Sequence, residues 1–235
     1  MLRLTPEVKL GTMPTVFSIN KCVVGDAGDK QMRRIVLLVC FALSGLLCAT
    51  PAFAAAETHD GFFLRFTPGL GYTSTSESVG SDSVGISGLG GMGGFGIGWS
   101  IVNNLVLHLN FASVSAINPK VSITSGGTTL SKDVSASETV TLFGLGASYY
   151  IMPANIYVGG SVGASSLSLT TDKSTTDSGT GWGLTLNAGK EWWVSDNWGL
   201  GVAGQFLFSS VPDKGSSSAN LNTAAFGIQF SATYN

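Results

Sequence analysis

From Phe62 to the end of the chain, large apolar side chains recur at every second position in separate short runs. Period two is the repeat of a β-strand, whose successive side chains point to opposite faces. The first run, Phe62 to Thr73, puts Phe62, Leu64, Phe66, Leu70 and Tyr72 on one face. Arg65, Thr67, Gly69 and Gly71 fall on the other. A chain that repeats this pattern is confined to all-β folds, and how the runs are connected decides which one.

Eight such runs can be counted. The second spans Val84 to Ile101, with Leu89, Phe95, Ile97 and Trp99 opposite a row of glycines and Met92. The third sets Leu105, Leu107, Leu109 and Phe111 against Val106, His108, Asn110 and Ala112. The fourth, Ser135 to Ile151, shows Phe143, Leu145, Ala147, Tyr149 and Ile151, and the fifth shows Ile156, Val158, Val162 and Ala164. Trp182 to Trp192, Trp198 to Phe208 and Phe226 to Tyr234 complete the set. Tight turns at 102–104, 152–155 and 195–197 alternate with longer connections at roughly 74–83, 114–134, 168–180 and 209–221. Short connections on one rim and long ones on the other predict an eight-stranded antiparallel up-and-down barrel.

Composition decides which face meets which solvent. Only 11% of residues are charged, 32 are glycine, and mean hydropathy is +0.32. Outside the N-terminal region no apolar stretch is long enough for a membrane helix. The small, polar face of each run suits the narrow lumen that eight strands enclose. The large apolar face is therefore expected to meet lipid, where a closed barrel leaves no unpaired backbone edge. Phe62, Trp99, Tyr149, Trp192, Trp198 and Tyr234 fall near one set of strand ends, the placement of a membrane-interface girdle.

Residues upstream carry an export signal. Met32-Arg33-Arg34 is a basic start, Ile35 to Leu47 an apolar core, and Ala52-Phe53-Ala54 a cleavage site. The expected division is a signal peptide over 32–54 and a mature barrel over 55–235. Residues 1–31 read as an upstream extension or a mis-assigned start. Cys22, Cys40 and Cys48 all lie in the removed part, so the mature chain has no thiol for a disulfide, a metal or a nucleophile. The mature chain carries six Lys/Arg against eleven Asp/Glu, a net charge of −5 by difference. That balance opposes nucleic-acid binding, which wants a basic face.

Gly61-Phe62-Phe63-Leu64-Arg65, the eight-run layout and the closing Phe226-Gly227-Ile228-Gln229-Phe230 resemble small outer-membrane barrels of the OmpX and OmpA-transmembrane-domain type. The resemblance covers the whole mature chain and is specific to fold. It implies a bacterial outer-membrane location, contact with outer-membrane lipid and lipopolysaccharide, and a last strand read by the barrel-insertion machinery. Members usually end in an aromatic residue; here Tyr234 precedes a final Asn235.

Few residues could carry chemistry. Gly88-Leu89-Gly90-Gly91-Met92-Gly93 matches a dinucleotide fingerprint in letters only, because it continues as strand rather than opening a helix. The mature chain has two histidines, His59 before the first strand and His108 just past a tight turn. Neither is placed to serve a catalytic pair on the long-loop rim, so no enzyme, no metal site and no cofactor are expected. The parity assigns Arg65, His108, Asn110, Asn187, Glu191, Gln205 and Gln229 to the lumen. A buried charge needs a partner, and Glu191 is the expected partner of Arg65 within a hydrogen-bonded plug. Val121, Ile123 and Leu130 suggest that the second loop protrudes as a hairpin whose edge could pair with another strand. The surface partner is not specified. The expected role is a non-enzymatic barrel with a plugged lumen, acting in envelope integrity or surface interaction through its loops, with termini periplasmic and long loops extracellular. The alternatives are a narrow channel for small or hydrophobic solutes, resembling the OmpW type, and an outer-leaflet lipid-modifying enzyme.

Overall fold

The computed structural model describes residues 58–79, 82–171, 174–214 and 220–235. The expected signal peptide and the segment upstream of it lie outside the described residues. The strands are β1 (Phe62–Val79), β2 (Asp82–Val102), β3 (Leu105–Ile117), β4 (Lys120–Ser125), β5 (Thr128–Asp133), β6 (Ala136–Ile151), β7 (Ile156–Thr171), β8 (Thr175–Asp177), β9 (Gly181–Ser195), β10 (Trp198–Pro212) and β11 (Asn220–Tyr234). Eight of them form a closed antiparallel ring in the order β1, β2, β3, β6, β7, β9, β10, β11. The ring closes where β11 pairs with β1, from Leu64 opposite Tyr234 to Ser76 opposite Asn222.

Local chemistry explains the connections. Asn104 and Asn155 stand in the turns at φ 68° and 49°. Asparagine tolerates this left-handed backbone because its short side chain can hydrogen-bond locally. The three short turns and both ends of the ring lie on one rim, the turn end. The opposite rim is the loop end. Pro68 interrupts the closing seam: the β1–β11 register passes from Phe66–Ala232 directly to Gly69–Gln229. Proline has no N–H to offer a ladder. The fingerprint-like Gly88–Gly93 segment lies wholly within β2.

The loop end differs from the sequence reading. Much of the segments read as loops is strand. β1 and β2 continue as a hairpin to Val79 and Asp82, and the second connection holds the expected hairpin as β4–β5. That hairpin does not simply prolong β3 and β6. It folds sideways, so that Lys120–Thr124 pair with Ser83–Ser87 of β2. Polar Ser/Thr runs read as loop by composition, yet they make good strands when their hydroxyls face each other across a ladder. Ser122–Ser131 (2.8 Å) and Thr124–Thr129 (2.9 Å) do this in β4–β5.

Burial alternates with the pattern, inverted relative to a water-soluble barrel. Leu70 and Ile228, both 74% exposed, lie on the outer wall, as do Phe66, Phe143, Trp182 and Phe226. An exposed apolar belt of this extent marks a surface made for a nonaqueous surrounding. The inner wall carries small residues where strands crowd. Gly144 and Gly163 face one another across β6–β7, and a Cβ on either would stand 2.1 Å from a partner carbonyl oxygen.

Candidate functional site

The lumen is where the buried chemistry of this chain collects, and it is built in layers. At the turn end, inward positions of five strands converge on Arg65. Its guanidinium lies 3.8 Å (Nε to Oε1) from Glu191. It donates from Nη1 to Ser148 Oγ (3.4 Å), from Nη2 to the Tyr150 hydroxyl, and from Nε to Thr233 Oγ1 (3.4 Å). Its Cζ sits 3.9 Å from the centroid of the Tyr157 ring and 5.0 Å from that of Phe63. Cation–π contact of this kind is strongest where water is excluded. Glu191 is satisfied in turn by hydroxyl donors: Ser231 (2.8 Å), Thr233 (2.7 Å) and Tyr150 (3.4 Å).

Below that layer, the segment before β1 closes the rim. His59 is buried and stacks on Tyr150 at 3.4 Å between ring centroids. Its Nε2 meets Asn155 Oδ1 at 2.8 Å, and its Nδ1 meets the Asn235 side-chain amide. Its backbone N–H donates to Asn104 Oδ1, and its carbonyl accepts from the Asn104 N–H. Asn235 donates its own backbone N–H to the Asn197 carbonyl. One residue is thus tied to all three turns: its backbone holds Asn104, and its imidazole holds Asn155 directly and the Asn197 turn through Asn235. Desolvation holds the His59 imidazole below its ordinary pKa, so it is neutral at pH 7.

Above the charged layer, His108 Nε2 lies 3.2 Å from Ser148 Oγ, and Asn110 donates to Ser161 (2.9 Å). Asn187, Gln205 and Gln229 share the same level of the wall. All seven side chains that parity assigned to the lumen line it, and Arg65 and Glu191 stand together. Toward the loop end the lumen becomes apolar. Met92, Val114, Val140, Leu142, Leu167, Leu207 and Val211 pack into one buried cluster. At that end Thr75–Thr223 (2.7 Å) and Ser165–Ser209 (2.6 Å) bridge inward hydroxyls. Glu138 is buried, and neither of its carboxylate oxygens has a hydrogen-bond partner among the described residues.

The sequence reading missed two groups: the aromatic clamp of Phe63, Tyr150 and Tyr157, and the apolar plug. Both could have been found by carrying parity through every run. Tyr150 sits opposite in parity to Tyr149 and Ile151, and Tyr157 opposite to Ile156 and Val158. The six girdle aromatics do lie on the outer wall. Phe62 packs near Trp99 (6.1 Å) and Tyr234 (6.2 Å), and Trp198 near Tyr234 (5.4 Å). Chemically, Ser148 and His108 are close enough to form a nucleophile–base pair. Both lie buried inside the lumen, and Ser148 Oγ also accepts from Arg65 Nη1. Among the described residues, no group of three His, Cys, Asp or Glu side chains gathers as a metal site would require.

A closed ring of eight strands, apolar outside and filled within, is the architecture of a membrane barrel. The model of the outer membrane protein beta-barrel domain matches residues 40–234. The chain belongs to this family. Membership places it in the bacterial outer membrane. Among solved structures, the barrel is similar to Neisserial surface protein A, from Neisseria, at 16% identity and a TM-score of 0.52, over 74% of this chain and 96% of that one. The outer membrane protein OprG from Pseudomonas aeruginosa matches at 12% identity and a TM-score of 0.47, over 77% and 100%. The outer membrane protease OmpT from Escherichia coli matches at 12% and 0.40, over 77% and 99%. Likenesses this distant speak to fold alone. No curated protein sequence matches the chain.

Proposed function

We propose that this outer-membrane barrel is a sealed, non-enzymatic structural element whose loop end, exposed to the outside, serves envelope integrity or surface interaction. Its turn end and both barrel termini face the periplasm. The observation that carries this reading is the filled lumen. A charged layer, a histidine floor and an apolar plug leave between them a cavity of about 20 Å³, roughly the room of one water. An ion would have to displace both the Arg65–Glu191 layer and the aliphatic plug to pass. The two histidines lie at the floor and in mid-lumen, away from the loop rim, which argues against a histidine-based catalytic pair there. The outward strand extensions and the sideways hairpin β4–β5 then supply the contact surface, and the outer edge of β5, which pairs with no other strand among the described residues, can accept an extended segment of a partner. Lipid and lipopolysaccharide surround the wall, and the insertion machinery reads β11 during assembly. Planar-bilayer recording on the purified barrel should show no steady conductance; sustained open-channel steps would sink the reading.

A second reading is favoured by one observation. An apolar groove of about 1010 Å³ runs over the outer wall at β1, β11, β10 and β9, and it shares Asn187, Gln205 and Gln229 with the interior cavity. A thin wall at this point would suit a narrow route for small apolar solutes. Uptake of such solutes into proteoliposomes, measured against empty liposomes, separates the two readings.

A further inference from the structure

Between the charged layer and the apolar plug, the 20 Å³ cavity is lined by Arg65, Gly96, His108, Asn187, Gln205 and Gln229 among others. Four polar atoms on that lining have no hydrogen-bond partner among the described residues: His108 Nδ1, Asn187 Oδ1, Gln205 Nε2 and Gln229 Nε2. They come from four different strands, β3, β9, β10 and β11. His108, Gln205 and Gln229 are each more than nine-tenths buried, at 5%, 8% and 2% exposure. Buried polar groups left dry are costly, and native interiors rarely keep several in one place.

The donor set selects the occupant. Two carboxamide N–H groups offer hydrogen bonds, and Asn187 Oδ1 accepts one. His108 Nδ1 accepts or donates according to the tautomer that its Ser148 contact selects. Donors and acceptors mixed around a space of this size match one water, which accepts twice and donates twice. An anion would meet the Asn187 carbonyl oxygen head-on. A cation would find two N–H groups and no carboxylate on the lining. Arg65 adds little net charge here because Glu191 stands beside it.

We propose that this cavity is a binding site for a single structural water that joins β3, β9, β10 and β11 across the middle of the barrel. The site goes beyond the sealed-lumen reading, since a conducting barrel could hold or lack it equally well.

Gly96 provides a test whose sign separates the outcomes. A Cβ there would stand 3.5 Å from Phe63 Cε1, 3.6 Å from His108 Nδ1 and 3.8 Å from the Leu109 carbonyl, all ordinary contacts. Gly96→Ala therefore fits the wall and takes the space. In a dry cavity the methyl fills a void, and the loss of a glycine stiffens the unfolded chain, so the urea midpoint in lipid vesicles would rise. With the water in place, the methyl expels it and strands four polar atoms, so the midpoint falls. The drop should shrink in a Gln229→Leu background, where one of those atoms is already gone. A crystal structure of the full-length wild-type barrel should show one density peak within hydrogen-bonding distance of at least three of the four atoms. A raised or unchanged midpoint for Gly96→Ala, an unoccupied cavity in that density, or an anomalous peak there after bromide soaking would each overturn the proposal.

Discussion

The two halves of the lumen are built from the same strands and the same side-chain parity, yet they are filled in opposite ways. The turn-end half holds Arg65, Glu191, His59 and two buried tyrosines in a network of directed bonds. The loop-end half is mainly aliphatic side chains and Met92, with hydroxyl pairs such as Thr75–Thr223 and Ser165–Ser209 bonded to each other. Directed networks fix a single arrangement, but each member depends on the others. Aliphatic packing tolerates the loss of a partner's polarity but not the loss of volume. The polar half thus sets where the strands lie relative to the turns, while the apolar half excludes water. Glu138 breaks the pattern by placing a buried carboxylate in the apolar half.

The largest test of this contrast is to remove one member of the charged pair. Arg65→Met should cost about 3–5 kcal/mol, because it leaves Glu191 buried and uncompensated. Urea unfolding in vesicles measures it, and the double variant Arg65→Met/Glu191→Met should recover most of the loss. If the two single losses simply add, the halves do not differ in the way described. In the apolar half, Leu142→Ala should cost roughly 3 kcal/mol through the cavity it creates. No second substitution that changes polarity should rescue it, and only refilling the volume should.

A smaller effect is expected at the floor. His59→Ala removes two side-chain hydrogen bonds and a ring stack and should cost about 2 kcal/mol. The pH dependence has a definite sign. The unfolded chain takes up a proton on His59 near the ordinary 6.5, whereas the buried ring resists protonation to lower pH. Stability from this group is therefore present above pH 6.5 and is lost as pH falls below it. Arg65 opposes the imidazolium and Glu191 favours it, and desolvation outweighs both. A pH series of urea midpoints should slope downward toward acid in the wild type, and His59→Gln should flatten that slope. The smallest change, and the only stabilising one, is expected at Glu138. Glu138→Met should raise stability by about 1 kcal/mol by removing a buried carboxylate from apolar surroundings in which Thr75 is a polar neighbour; a fall in the urea midpoint would count against the contrast between the halves.

How much of this could be read from the chain depends on the kind of residue. Leu105, Leu107, Leu109 and Phe111 announce both a strand and the face that it presents, since parity is set by the backbone alone. Arg65 and Glu191 share that legibility, being charges on the inward parity at matching distances from strand ends. Tyr150 and Tyr157 were equally available to parity but were hidden beside the outward Tyr149 and Val158. The loop-end strands were legible only in part. Val121, Ile123 and Leu130 pointed to the β4–β5 hairpin, but nothing local announced its sideways pairing with β2.

By itself, then, the sequence determined an eight-run, period-two chain with one apolar face and short turns on a single rim. That is enough to require a closed barrel and to sort each side chain to lipid or lumen, because both follow from local backbone geometry. Only the tertiary structure decided what meets inside. The stagger of tilted strands brings β1, β6, β7, β9 and β11 together around Arg65. It draws His59 beneath three turns and joins it to Asn235 from the far end of the chain, 176 positions away. It also sets four unpartnered polar atoms around one small cavity. Those encounters depend on how the ring closes, and nothing local in the chain encodes its shear.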